Sequence, residues 1–188
     1  MLKLSHTIAV LVALSAPLAG ASAAAIKAGG ITGVATADPA ACRPGSQRPA
    51  VLVKVDGFKR IGGNLRVQVY GGDPAQFVKG GERLARIDMP VRTAPSEVCV
   101  ALPGPGRYAI AVRHDVEGDG KSGLNDGGGF SRNPGISLSD VLARRMPRYE
   151  DVAIAVGAGP RPVDIVLNYR QGLSIKPLAM AHTRVAAF

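Results

Sequence analysis

"VLVKVDGFKRIGGNLRVQVYG", residues 51–71, is the stretch on which the reading of the fold turns. Val51, Val53 and Val55 share one side of an extended chain. After a short interruption Leu65, Val67 and Val69 do the same, with Arg66 and Gln68 opposite. Successive side chains of a strand point to alternate faces, so an apolar residue at every second position marks a strand with one buried face. Gly62-Gly63 between the two runs is a turn signal. The pair reads as a β-hairpin.

The same period continues downstream. "RLARIDMPVR" places Ala85, Ile87, Met89 and Val91 on one face, and Pro90 confines that run to a sheet edge. "EVCVALP" places Val98, Val100 and Leu102 inward and Cys99 outward, whereas "GPGRYAIAVRHD" places Tyr108, Ile110 and Val112 inward. "DVAIAV" and "VDIVLNY" add two more short runs, the second with Val163, Ile165, Leu167 and Tyr169 on one face. About seven short strands separated by Gly and Pro turns predict an all-β domain, a two-layer sandwich or barrel. The one helical segment is "SDVLARRM" in an insertion, with Ser139 as its cap and Pro147 beyond its end.

The flanks read differently. Lys3, the apolar residues 8–18 and Ala21-Ser22-Ala23 have the form of a signal peptide over residues 1–23, too short in its apolar part to span a bilayer. The start of the mature chain is open by about two residues, because Ala23-Ala24-Ala25 is a second cleavage site. Residues 24–49, rich in Ala, Gly and Pro, form an N-terminal arm. Residues 50–170 form the sandwich, of ordinary size for one domain. Residues 171–188 either add an edge strand or wrap the surface. Export to the periplasm or beyond makes the two cysteines a disulfide, Cys42 with Cys99. It would strap the arm to the outside of the sheet.

The precursor carries a formal net charge of +9, and losing Lys3 lowers it by one. Its basic residues are dispersed, there is no Trp, and only four Phe and four Tyr are available for base stacking, so nucleic acid is not the expected partner. A cationic surface fits adhesion to an anionic envelope component, lipopolysaccharide or an acidic glycan. The Arg-rich segment with Arg144, Arg145 and Arg148 is the candidate contact.

The acidic side chains crowd in "HDVEGDGKSGLND", residues 114–126. Counted from Asp115, the carboxylates of Glu117, Asp119 and Asp126 fall at positions 3, 5 and 12, Gly120 at 6 and Lys121, through its carbonyl, at 7. That is the spacing with which a loop surrounds Ca²⁺. Glu at position 3, Asp at 12 and no side-chain ligand at 9 imply weak affinity. The alternative is an ordered polar turn. Catalysis ranks behind both: His114 continues the inward face of Tyr108, Ile110 and Val112, whereas Asp115 points the other way. By parity His114 ends the core, with its ring nitrogens bonded to loop backbone. No G-x-S-x-G elbow is present, and His114 and His182 are too few for a zinc site.

"LPGPGRYAIAVRHDVEGDGK", "GGGFSRNP" and "PRYEDVAIAV" together resemble the exported bacterial family known as domain of unknown function 2141. The matching positions are Leu102, Pro103, Gly106, Tyr108, Ala109, His114, Asp115, Gly120, Lys121, Gly129, Phe130, Ser131, Asn133, Pro147, Tyr149 and Asp151. The resemblance implies an immunoglobulin-like or transthyretin-like sandwich in which Tyr108, His114, Gly120, Phe130 and Ser131 are structural. The family pattern has Asn where this chain has Glu117 and Asp119, and Asp where it has Gly123. The resemblance brings no known activity. The expected function is a non-enzymatic binding or structural module of the envelope. The alternatives are a small enzyme using His114 and an adhesive accessory subunit.

Overall fold

The computed structural model describes residues 35–179; the expected signal peptide and His182 lie outside them. In chain order the described residues form β1 (Thr36–Ala37), a 3-10 turn (Pro39–Cys42), β2 (Ala50–Asp56) and β3 (Asn64–Tyr70). A second 3-10 turn (Pro74–Gln76), β4 (Ala85–Pro90), β5 (Ser96–Ala101), β6 (Gly106–Asp115) and β7 (Gly127–Phe130) come next. The chain continues through α1 (Leu138–Leu142), α2 (Tyr149–Val152), β8 (Ile154–Val156), β9 (Pro160–Val166), β10 (Asn168–Gln171) and β11 (Ser174–Pro177). One sheet has the order β1-β5-β2-β9; the other runs β11-β10-β7-β6-β3-β4, with β8 added beside β6. The domain is an all-β two-sheet sandwich. Its pairings are antiparallel except β2 with β9, which run parallel.

The inward faces are those the alternation marks. Val51, Val53, Val55, Leu65, Val67, Val69, Tyr108, Ile110, Val163, Ile165, Leu167 and Tyr169 are all buried in one cluster. Pairing differs from expectation. β2 and β3 are not a hairpin: β2 pairs with β5 and β9, whereas β3 pairs with β4 and β6 in the opposite sheet. The segment between them is an arch that carries the chain across the sandwich, so the two valine-rich faces meet through the core rather than lying side by side. Gly63 makes the arch close: its φ is +67°, and a Cβ there would sit 2.1 Å from the Asp115 carbonyl oxygen.

"VDIVLNY" is likewise not a single strand. β9 lies in one sheet and β10 in the other, and Leu167 is the crossing point. β7, "GGGF", has almost no side chains and so no readable period, yet its glycines are what let the crossing segment lie against it. A Cβ on Gly127 would come within 2.4 Å of the Tyr169 ring, and one on Gly129 within 2.8 Å of Ile165. α1 is capped by Ser137, not Ser139: the Asp140 N–H donates to Ser137 Oγ and the Ser137 N–H to the Asp140 carboxylate, each at 3.1 Å. A Ser-x-x-Asp pair satisfies two otherwise free helix N–H groups. α2 is a second helix beyond the one expected. The strands also outnumber the seven expected: "VDIVLNY" splits into β9 and β10, the tail supplies β11, and β1 and β7 carry no visible period, β1 being two residues long and β7 mostly glycine.

Two smaller clusters cover the outer faces. Tyr70, Phe77, Ala109, Phe130, Tyr149, Val152 and Ala153 form one of them, beneath α2 and the Pro74–Gln76 turn. The Phe77 ring stands edge-on to Tyr70, Phe130 and Tyr149 at 5.4, 6.1 and 5.9 Å. Around the Cys42–Cys99 disulfide, Ala41 and Ala50 form the other, tying the Pro39–Cys42 turn to the outside of β5. β4 is an edge strand, as Pro90 requires. The tail adds β11 at the opposite edge of the same sheet.

Candidate functional site

β6 delivers His114 and Asp115 to one end of the sandwich with opposite orientations. His114 is fully buried. Its Nε2 lies 2.9 Å from the Gly62 carbonyl and its Nδ1 lies 2.6 Å from the Tyr169 hydroxyl. A carbonyl only accepts, so Nε2 carries the proton and Nδ1 accepts from Tyr169. Tyr169 Oη in turn accepts the Lys59 backbone N–H at 3.1 Å. Burial pushes the Tyr169 phenol up to about 12, which keeps it a donor. One ring nitrogen therefore meets loop backbone and the other a side chain. Phe58 stands edge-on to the imidazole at 5.1 Å.

Asp115 faces away from that core, but the succeeding loop folds back over it and leaves it 2% exposed. Its Oδ1 accepts from the Gly118 N–H at 2.8 Å and its Oδ2 from the Gly120 N–H at 2.7 Å. Burial alone raises a carboxyl pKa. Here these N–H groups and the nearby Arg113 guanidinium outweigh it and hold Asp115 below the usual carboxylate range. Gly120 turns the chain with φ +77°. Asp126 closes the loop from the other side, accepting from Val116 N–H at 3.1 Å and Gly123 N–H at 3.0 Å.

Of the residues read as cation ligands, Asp115, Glu117 and Asp126 bring carboxylate oxygens within 4.8 Å of one another. Asp119 stays outside that group and accepts the Lys121 N–H in a local turn at 2.8 Å. Glu117 bonds the Asn125 amide, and Asn125 also takes the Lys59 ammonium. Three carboxylate oxygens are fewer than the six to eight that Ca²⁺ takes, and the two less exposed carboxylates already hold backbone donors.

The remaining motif residues are structural in their contacts. Tyr108 is fully buried, and its hydroxyl donates to the Gly104 carbonyl at 2.6 Å. Ser131 Oγ accepts the Ile110 N–H at 3.0 Å and donates to the Val152 carbonyl at 2.6 Å. Phe130 belongs to the outer aromatic cluster. Arg144, Arg145 and Arg148 lie far from the acidic loop in sequence, in the segment that leaves the other end of β7. Arg145 pairs with Asp140 at 3.0 Å, and Arg148 forks onto Asp151 with two contacts of 2.9 Å. Arg144 is exposed with φ +52°.

Sequence reasoning missed a cleft beside the acidic loop, lined by Asn64, Arg66, Asp88, Arg113, Asp115 and Gly118. Cross-strand register makes it: Arg66 is paired opposite both Asp88 and Arg113. Arg66 Nε donates to Asp88 at 2.6 Å. The signal was present as charges at the outward positions of alternating strands, but register was needed to align them.

A family model described as "Uncharacterized protein conserved in bacteria (DUF2141)" matches residues 53–164. No curated protein and no solved structure matches the chain.

Proposed function

The chain belongs to the bacterial family DUF2141, whose members are uncharacterised, and from that premise we propose that it is a non-catalytic, exported module of the cell envelope with a binding or structural role. One observation carries the reading. His114, the histidine at the rim, is fully buried and spends both ring nitrogens on the fold itself. A general base must reach a substrate proton, and a buried imidazole bonded at both nitrogens does not. The disulfide supports an oxidising compartment, periplasmic or secreted. No helix among the described residues is long and apolar enough to cross a membrane. The exposed arginines of the α1 segment, Arg144, Arg145 and Arg148, would make the contact with lipopolysaccharide or an acidic glycan. Such binding weakens as salt rises. An activity abolished by His114→Ala without loss of thermal stability would overturn the non-catalytic reading.

The convergence of Asp115, Glu117 and Asp126 favours a second reading for the loop, a weak Ca²⁺ site. A thermal melt tests it. With a dissociation constant of about 1 mM, calcium at about 10 mM adds about 1.4 kcal/mol and raises the midpoint by roughly 4 °C. A midpoint equal in calcium and in chelator leaves the loop a self-sufficient turn.

A further inference from the structure

The α1 segment combines two features that a glycan-binding surface does not need together. Val141, Leu142 and Met146 are 46, 72 and 54% exposed, and Arg144, Arg145 and Arg148 are interleaved with them. An acidic polysaccharide uses the guanidinium groups but gains nothing from exposed aliphatic side chains. An anionic bilayer uses both: apolar tips enter the acyl boundary, and arginines lie along it with their charges at the headgroups. From this, and resting on the envelope-anion reading above, we infer that the α1 segment docks on a bilayer containing anionic phospholipid.

The segment is built to hold that shape ahead of binding. The Ser137–Asp140 capping box closes its first turn. The Asp140–Arg145 and Arg148–Asp151 pairs fix two of the arginines. Ile136 packs against the outer aromatic cluster, in which Tyr149 is buried. Little ordering cost is then left for binding. Arg144 makes no ion pair among the described residues, so its charge is available to a headgroup.

The chain has no Trp, so a single introduced indole reports on one place. Full-length Leu142→Trp is mixed with phosphatidylcholine vesicles, with and without phosphatidylglycerol. The expected result is a blue-shifted emission, quenched by brominated acyl chains, on phosphatidylglycerol vesicles alone, while Leu124→Trp in the acidic loop keeps its solvent emission. In co-sedimentation, a Leu142→Ser, Met146→Ser variant with an unchanged thermal midpoint binds about tenfold more weakly, because partial burial of two large aliphatic side chains is worth at least that factor. If Leu142→Trp stays solvent-exposed while the protein binds lipopolysaccharide or acidic glycan in a salt-sensitive manner, the bilayer inference falls and the envelope-anion reading stands. If no anionic surface binds, both fall. If the double serine variant binds phosphatidylglycerol as the parent does, insertion is overturned.

Discussion

A neutral imidazole satisfies two partners at once, one as donor and one as acceptor, and His114 uses both capacities to join three segments: β6, the arch leading into β3, and β10. Removing the ring leaves a cavity, takes away the acceptor of the Tyr169 O–H and takes away the His114 donor of the Gly62 carbonyl. His114→Ala is therefore expected to cost about 3 kcal/mol in chemical denaturation. Tyr169→Phe, which deprives His114 and the Lys59 N–H of one partner each, costs about 1–2 kcal/mol. The buried phenol has a raised pKa, so its contribution is intact below pH 10.0 and lost as pH climbs toward about 12; Tyr169→Phe removes that alkaline loss. Asp115 works in the opposite direction. Its folded pKa lies below 3.8, so its stabilisation is present above that pH and disappears as pH falls through the folded value. Asp115→Asn is expected to be less stable at neutral pH, with the gap from the parent closing in acid melts below about pH 4. Strand parity along β6 suffices to put His114 inside and Asp115 outside. The partners of His114 were not legible, because Tyr169 and Gly62 are distant in sequence.

At the scale of elements, β7 and the edges show which devices leave a trace in sequence and which do not. A strand of three glycines and a phenylalanine has no alternation to read, and its role is spatial: it makes room for Tyr169 and Ile165. β4 announces its edge position through Pro90. β9 blunts its own edge by less visible means. Pro160 and Pro162 offer no N–H, and the Asn133 amide covers the C-terminal half of the strand, donating to the Asp164 carbonyl at 3.0 Å and accepting the Val166 N–H at 2.8 Å. An uncovered edge is a template for another chain, and this protection argues against the adhesive alternative at β9. Asn133→Ala is expected to lose about 1 kcal/mol. It should also form more oligomer on heating, read by light scattering; unchanged scattering would show that the amide is dispensable.

For the whole molecule, closure depends on two long-range decisions: the arch that sends β3 into the opposite sheet, and the crossing at Leu167 between β9 and β10. The Cys42–Cys99 bond adds a third restraint over a sequence separation of 57. Replacing both cysteines by serine is expected to lower stability by up to about 4 kcal/mol. The fold should survive, since the disulfide sits in its own cluster outside the main core. A collapse of the β-rich circular dichroism spectrum in that variant would mean that the core cannot close without the strap.

The amino-acid order alone determined which residues face inward, that the domain is all-β, which cysteines join, and that the acids crowd into one loop. Each of these comes from local periodicity, from residue count or from spacing within a dozen positions. Tertiary structure alone decided which strands are neighbours, that β2 and β3 face each other across the core, and that Tyr169 and Gly62 are the partners of His114. The reason is physical: two strands side by side and two strands face to face demand the same alternating pattern, so only the packing of the whole chain distinguishes them.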